Sequence, residues 1–172
     1  MSLSIDGARS RLKAWSVKVQ PGLGPETMQG IVLRARVAGT EVLVLDGSMV
    51  FGKDHLAAAM YHAARAIEQG TNASDSLLME TILYASGERQ LGSATKKMGV
   101  SKDSTELVVA QLVDGGFAPD ASWIELPAMR APADRAQLVR FGISEGELLT
   151  LEERSPAELV LEKVAAVDVL KR

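Results

Sequence analysis

The chain has no cysteine, which removes disulfides, thiolate metal sites and a cysteine nucleophile at one stroke. That usage agrees with a reducing compartment, and a cytoplasmic location is the expectation. Aromatic residues make up only 4% of the 172 residues. The core must therefore come from Leu, Val, Ile, Ala and the seven Met. Histidine is almost as scarce, with only His55 and His62. They lie seven positions apart on one helical pattern, two turns from each other, too far to share a zinc ion readily. No apolar run reaches the length needed to span a bilayer. The first residues lack the charged and apolar regions of a signal peptide. Residues 1–8 carry no usable pattern and are expected to be a disordered or added tail. An excess of charge is missing too. The net value is −3, so the molecule as a whole does not attract nucleic acid. The distribution is uneven, however. Residues 1–20 carry Arg9, Arg11, Lys13 and Lys18 against Asp6, a balance of +3, whereas residues 100–172 carry eight basic and thirteen acidic groups, a balance of −5. A locally basic face can coexist with an acidic one.

What is present is 47% hydrophobic and 24% charged, the proportions of one globular domain spanning residues 1–172. Lys13 to Val19 alternates with period two, a half-buried strand. Thr27 to Val37 reads as a helix stopped by Gly39, and Val42 to Leu45 as a buried strand. Asp54 to Gln69 is the clearest helix, with Leu56, Ala59, Met60, Ala63 and Ile67 in one stripe. Ser76–Ser86 and Gln90–Met98 are two further helices. Within the first of them Glu80 either faces solvent or bonds to a neighbouring backbone. Thr105–Val113 is rich in β-branched residues and predicts a strand, and Trp123–Leu126 a short edge strand. Pro132 opens a helix reaching Phe141. Ser155-Pro156-Ala157-Glu158 is a capping box that starts a terminal helix. Strands and helices mix without βαβ alternation. The expected fold is α+β in two layers, a small mixed or antiparallel sheet packed against a bundle of helices.

Three patterns suggest chemistry. Gly47-Ser48-Met49-Val50-Phe51-Gly52-Lys53-Asp54 fits G-x-x-x-x-G-K between a strand and a helix. It ends in Asp where a metal-binding hydroxyl belongs, and Met49-Val50-Phe51 is bulky where a loop must wrap a phosphate. The alternative is a plain strand-turn-helix with Asp54 capping the helix. Residues 91–112 resemble a helix-turn-helix, with Ser104–Leu112 as the reading helix. That element brings Asp103 and Glu106 but only Lys102 as a cation, a poor balance for phosphates. Finally, no nucleophile, paired carboxylates or metal-ligand cluster stands out. No catalytic residue, metal, cofactor or small-molecule substrate is expected.

The order of motifs resolves these alternatives. Asp46-Gly47-Ser48-Met49-Val50-Phe51-Gly52-Lys53-Asp54-His55-Leu56, then Leu78 to Leu91 with its Gly87-Glu88-Arg89-Gln90-Leu91 end, resembles the small regulatory subunits of the KEOPS complex, the PRPK-binding family. Ala94 to Val100, Phe141-Gly142-Ile143 and Leu159 to Leu170 are similar to its archaeal members. The likeness covers most of residues 40–172. It implies a non-enzymatic, cytoplasmic subunit that binds and stimulates a kinase-like ATPase. It also implies that the subunit holds the acceptor end of tRNA while threonylcarbamoyladenosine is made. On that basis Lys53, Arg89, Lys96 and Lys97 are assigned to tRNA phosphates, Gln90 to hydrogen bonding and Leu91 to an apolar seat for a terminal base. Val160, Leu161, Val164, Val167, Val169 and Leu170 wrap most of the way round the last helix. Their surplus is assigned to the kinase-like partner.

Overall fold

The computed structural model describes residues 2–171. Eight helices are arranged around a four-stranded antiparallel sheet: α1 (Ile5–Arg11), β1 (Lys13–Lys18), α2 (Gly24–Val37), β2 (Leu43–Asp46), α3 (Lys53–Gln69), α4 (Leu77–Ser86), α5 (Leu91–Met98), β3 (Glu106–Gln111), β4 (Ile124–Glu125), α6 (Arg135–Phe141), α7 (Glu145–Leu148) and α8 (Pro156–Leu170). The strand order is β2-β3-β1-β4. β3 is thus an inner strand, pairing Val108 with Ser16 on one side and with Leu45 on the other. The β-branched content that marked it in the sequence suits this doubly flanked position.

Alternation along the strands divides the core. Ala14, Leu43, Leu45, Val108 and Ala110 face the helical layer and join Leu56, Met60, Leu83, Phe141 and Val164 in the main cluster. Val17, Leu107 and Val109 face the other way, where α2 supplies Ile31 and Ala35 and the 117–123 segment supplies Phe117 and Trp123. The α+β class and the sheet-on-helices layering follow the sequence expectation. No helix among the described residues is long and apolar enough to cross a membrane.

Three features differ from the sequence reading. Residues 1–8 are not wholly a tail. Ser4 caps α1 through the amide of Gly7, and Ala8 is fully buried. The helix was invisible because seven residues containing a glycine show too few turns for a stripe. α2 begins at Gly24 with Pro25 in its first turn, earlier than the Met28-Ile31-Val32 periodicity revealed. α7 is a single turn closed by a capping box between Ser144 and Glu147. By contrast the box at Ser155 and Glu158 forms as read and starts α8.

Candidate RNA and partner surfaces

The turn from Asp46 to His55 is fixed by backbone and side-chain partners together. Asp46 caps the 3-10 turn Gly47–Met49 by accepting from the Ser48 amide at 2.8 Å and the Ser48 hydroxyl at 2.7 Å. Its second oxygen accepts from the Ser104 hydroxyl at 2.7 Å. Gly52 is the N-cap of α3, with φ +117°, a conformation in which a side chain is strained. A Cβ there would also meet the Ala128 carbonyl at 2.5 Å and the Met129 Cα at 2.8 Å. The segment 127–130 lies against this glycine as an extra layer. The Lys53 and Asp54 amides donate to the carbonyls of Pro127 and Ala128 at 2.8 and 2.9 Å, and the Arg130 amide donates to Phe51 at 3.0 Å. The Arg130 guanidinium then bonds the carbonyls of Gly47 and Val50 and the Glu106 carboxylate.

This removes the phosphate-loop reading. The amides that such a loop must offer at the helix start are already donating to carbonyls. Asp54 does not cap the helix either; it accepts from Arg9 at 3.0 Å. His55 explains why the turn ends as it does. Its Nδ1 accepts from the Phe51 amide at 3.1 Å and its Nε2 donates to the Ala85 carbonyl at 2.7 Å, a pattern that fixes the Nε2–H tautomer. Burial pushes its pKa down to about 4, so it is a neutral strut between α3 and α4.

The helix-turn-helix reading fails at β3. Residues 106–111 form an inner strand, and Leu107 to Ala110 are fully buried. No reading helix projects from the body, because the would-be recognition segment is committed to two ladders.

The six residues assigned to tRNA divide into different environments. Arg89, Gln90 and Lys96 are exposed, and among the described residues their side chains form no ion pair or hydrogen bond. Leu91 is half-buried and packs on the main core. Lys53 is half-buried at the start of α3. Lys97 is occupied: its ammonium donates to the Ser86 carbonyl at 2.6 Å, lies 3.4 Å from Glu88 and sits 4.3 Å from the centre of the Phe141 ring. Burial holds its pKa below the usual lysine range, partly offset by Glu88. Lys97 therefore closes the end of α4, where a cation meets free carbonyls. Only Lys96 and Lys97 of the six line the groove of about 610 Å³ between α5 and the Asp46–Met49 turn. The Asp46–Met49 turn meets α5 there through Ser48 and Met49, while Lys53, Arg89, Gln90 and Leu91 lie outside the groove lining. Composition alone did not single out Ser93 and Arg140, which line the same groove.

The residues assigned to a partner on α8 also need correction. Val160, Val164 and Val167 are core residues at 0–1% exposure, packed towards α3 and α4, and are not open to a partner. The helix is more deeply buried than a single surface stripe requires. Leu161 is half-buried, while Val169 and Leu170 are exposed at 70% and 47%. Charge fastens this helix too. Asp168 accepts from the Tyr84 hydroxyl at 2.5 Å, His62 at 2.9 Å and Arg65 at 3.1 Å. Desolvation pushes its pKa up, but the bonds from Tyr84 and His62 outweigh it and hold the carboxyl below its usual value. Glu80 is fully buried, accepts from the amides of Ala73 and Ser74 at 3.0 Å each, and pairs with Lys171. The backbone-bonded alternative for Glu80 is the one realised. The sequence signal for this network was a carboxylate inside an apolar run, and Glu80 and Asp168 both carry it.

With this geometry in hand, two comparisons are informative. A family model described as "Kinase binding protein CGI-121" matches residues 27–152. A curated relative, the EKC/KEOPS complex subunit CGI121 of Candida glabrata, is 28% identical over 99 residues. The match covers 56% of this chain and 53% of the relative, so it spans about half the relative's length. The family match starts in α2 and stops before α8, and it contains the whole turn–α3–α4–α5 unit whose interlocking is described above. The chain belongs to the CGI-121 family of kinase-binding proteins.

Proposed function

We propose that the chain is a non-catalytic docking subunit of a KEOPS-type tRNA-modification complex. In this role it binds and stimulates the kinase-like ATPase subunit and holds the acceptor end of tRNA during threonylcarbamoyladenosine synthesis. Membership of a kinase-binding family is the observation that carries the reading. The distribution of open side chains supports it. The polar groups inside the body are largely spent on internal bonds, whereas Arg89, Gln90 and Lys96 stand exposed around the α4–α5 turn. Exposed cations beside a half-buried Leu91 suit a single-stranded RNA end, which docks through phosphate contacts and base packing. For the kinase-like partner the available apolar groups are Val169 and Leu170 at the end of α8 and the half-buried Leu161 about two turns earlier.

The test is reconstitution. The purified chain is expected to co-elute with the kinase-like ATPase and raise its turnover. It is also expected to bind tRNA in a salt-sensitive manner that disappears when the acceptor tail is trimmed. Failure to co-elute, or RNA binding indifferent to the tail, overturns the proposal. Cytoplasmic location belongs to the same proposal and is checked by fractionation.

A further inference from the structure

Aspartate is followed by glycine at three places in the chain, Asp6-Gly7, Asp46-Gly47 and Asp114-Gly115. Such a step can rearrange spontaneously, because glycine puts no side chain in the way of its own amide nitrogen. That nitrogen must swing onto the preceding carboxyl carbon. The reaction therefore needs a free amide, a free carboxyl group and a backbone able to turn.

The fold withholds these at two of the three places. Gly7 lies in α1, and its amide donates to the Ser4 hydroxyl at 3.0 Å, while the Asp6 carbonyl accepts from the Ser10 hydroxyl at 2.9 Å. The Asp46 carboxylate accepts from the Ser48 amide and hydroxyl and from the Ser104 hydroxyl, and the Glu106 side chain lies against Gly47. At the third place neither group is engaged. Val113, Asp114, Gly115 and Gly116 are all exposed, in the irregular run 112–123 between β3 and β4. Among the described residues the Asp114 carboxylate and the Gly115 amide have no hydrogen-bond or ion-pair partner. Phe117, three positions after Asp114, is buried with its ring 6.0 Å from Trp15 and 5.8 Å from Trp123. A change of backbone length at Asp114 is thus felt in that aromatic cluster.

We propose that Asp114 is a site of covalent isomerisation to isoaspartate, the one Asp-Gly step of the three that the folded chain leaves reactive, and that the change loosens the Trp15–Phe117–Trp123 cluster. This modification is independent of the docking function proposed above. The Gly115 nitrogen loses its proton and bonds to Asp114 Cγ. A carboxyl oxygen departs as water, and a five-membered succinimide results. Water then adds to one of the two ring carbonyls. Breaking the bond from nitrogen to Cγ restores aspartate. Breaking the bond from nitrogen to the main-chain carbonyl carbon leaves the chain running through Cβ and Cγ, with a free α-carboxylate beside it. One water is lost and one gained, nothing is oxidised or reduced, and the mass is unchanged. The main chain is longer by one methylene.

The experiment ages the full chain in neutral buffer, folded in one sample and unfolded by guanidinium in another. Tryptic peptides are then separated, and fragmentation tells isoaspartate from aspartate. In the folded sample isoaspartate at position 114 is expected to exceed that at 6 or 46 by about tenfold or more, since those two must first break local hydrogen bonds. In guanidinium the three positions are expected to react at similar rates. Asp114→Glu keeps the charge but would need a six-membered ring, so it is expected to abolish the product at this position. Gly115→Ala is the poorer variant, because its methyl would meet Thr40 Cβ at 2.5 Å. Both tryptophans of the chain belong to the cluster, so intrinsic fluorescence reports on it alone. The isomerised fraction is expected to emit at longer wavelength than fresh chain or aged Asp114→Glu. Equal product at the three positions of the folded chain, or more at 6 or 46 than at 114, overturns the inference. Isomerised chain with unchanged emission overturns the link to the cluster.

Discussion

His55 makes the clearest residue-scale prediction, because a histidine strut fails in acid in a definite direction. Its folded pKa lies at about 4 against an ordinary value of 6.5, so protonation favours the unfolded chain. The stabilisation is complete above pH 6.5, declines as pH falls through the window between 6.5 and 4, and levels off below it. That gap corresponds to on the order of 3 kcal/mol. Urea titrations at several pH values across the window check this. His55→Gln is expected to be about 2 kcal/mol less stable at pH 7, because both buried bonds of the imidazole are disturbed. It is also expected to lose most of the decline between pH 6.5 and 4; a variant that declines as steeply as the parent refutes the assignment. Gly52 supplies a second prediction at this scale. Gly52→Ala places a methyl against the backbone of Ala128 and Met129, which has no rotamer to yield. Its cost is expected at about 3 kcal/mol or more, or at failure to accumulate in soluble form. Gly70→Asn, at a left-handed cap with nothing near its Cβ, is expected to cost under about 1 kcal/mol. Comparable melting temperatures for the two variants would mean that the 127–130 layer does not dictate glycine at position 52.

At the scale of elements, α8 is held by a buried carboxylate as much as by its apolar stripe. Glu80 joins the 73–74 turn, α4 and the end of α8, since it bonds two amides and pairs with Lys171. Glu80→Gln and Lys171→Met are each expected to destabilise by about 2–4 kcal/mol, because either change leaves a buried polar group short of its partner. The double variant is expected to fall short of the sum by about 1 kcal/mol or more. Denaturant midpoints decide it, and strict additivity would mean that the pair is not coupled. This network also shows where legibility stops. Long elements were readable because burial imposes a period: the Leu56-Ala59-Met60-Ala63 stripe and the Lys13–Val19 alternation each report one buried face. The box at Ser155 and Glu158 was readable because all its bonds are local. The Arg130 bonds to Gly47 and Val50 were not, since the partners lie eighty or more positions away and no local pattern encodes them. Lys97 looked like a surface cation because nothing in Lys96-Lys97 tells which one reaches back to Ser86. On α8 the apolar count was correct, but counting does not show that the helix packs against both α3 and α4; the role of Val160, Val164 and Val167 became clear only from packing. Glu80 was visible as an anomaly, though its partners were not.

At the scale of the whole molecule, the two proposed partners are assigned to side chains of different elements. The groove and the α4–α5 turn use side chains of α5, α6 and the Asp46–Met49 turn, whereas Leu161, Val169 and Leu170 belong to α8. Net charge of −3 does not prevent RNA docking, because salt screens distant acidic groups over about 10 Å at ordinary ionic strength while unpaired cations act at close range. Losses at the two surfaces should then be independent. Arg89→Ala with Lys96→Ala is expected to weaken tRNA binding roughly tenfold and to lower the salt slope by about 2, one for each phosphate that is no longer neutralised. Association with the kinase-like ATPase is expected to be unchanged in that variant. Val169→Asp with Leu170→Asp should do the reverse, since apolar groups at a protein interface are replaced by charges and affinity falls about tenfold or more. Both double variants alter exposed residues, so their melting temperatures are expected to stay within a few degrees of the parent. Lys97→Ala is the informative contrast. Its ammonium is spent inside the fold, so the chief effect expected is destabilisation of about 1–2 kcal/mol. Its tRNA affinity is expected to fall less than that of Lys96→Ala. If Lys97→Ala retained full stability and abolished RNA binding, the division between internal and external cations drawn from Ser86, Glu88 and Phe141 would be wrong.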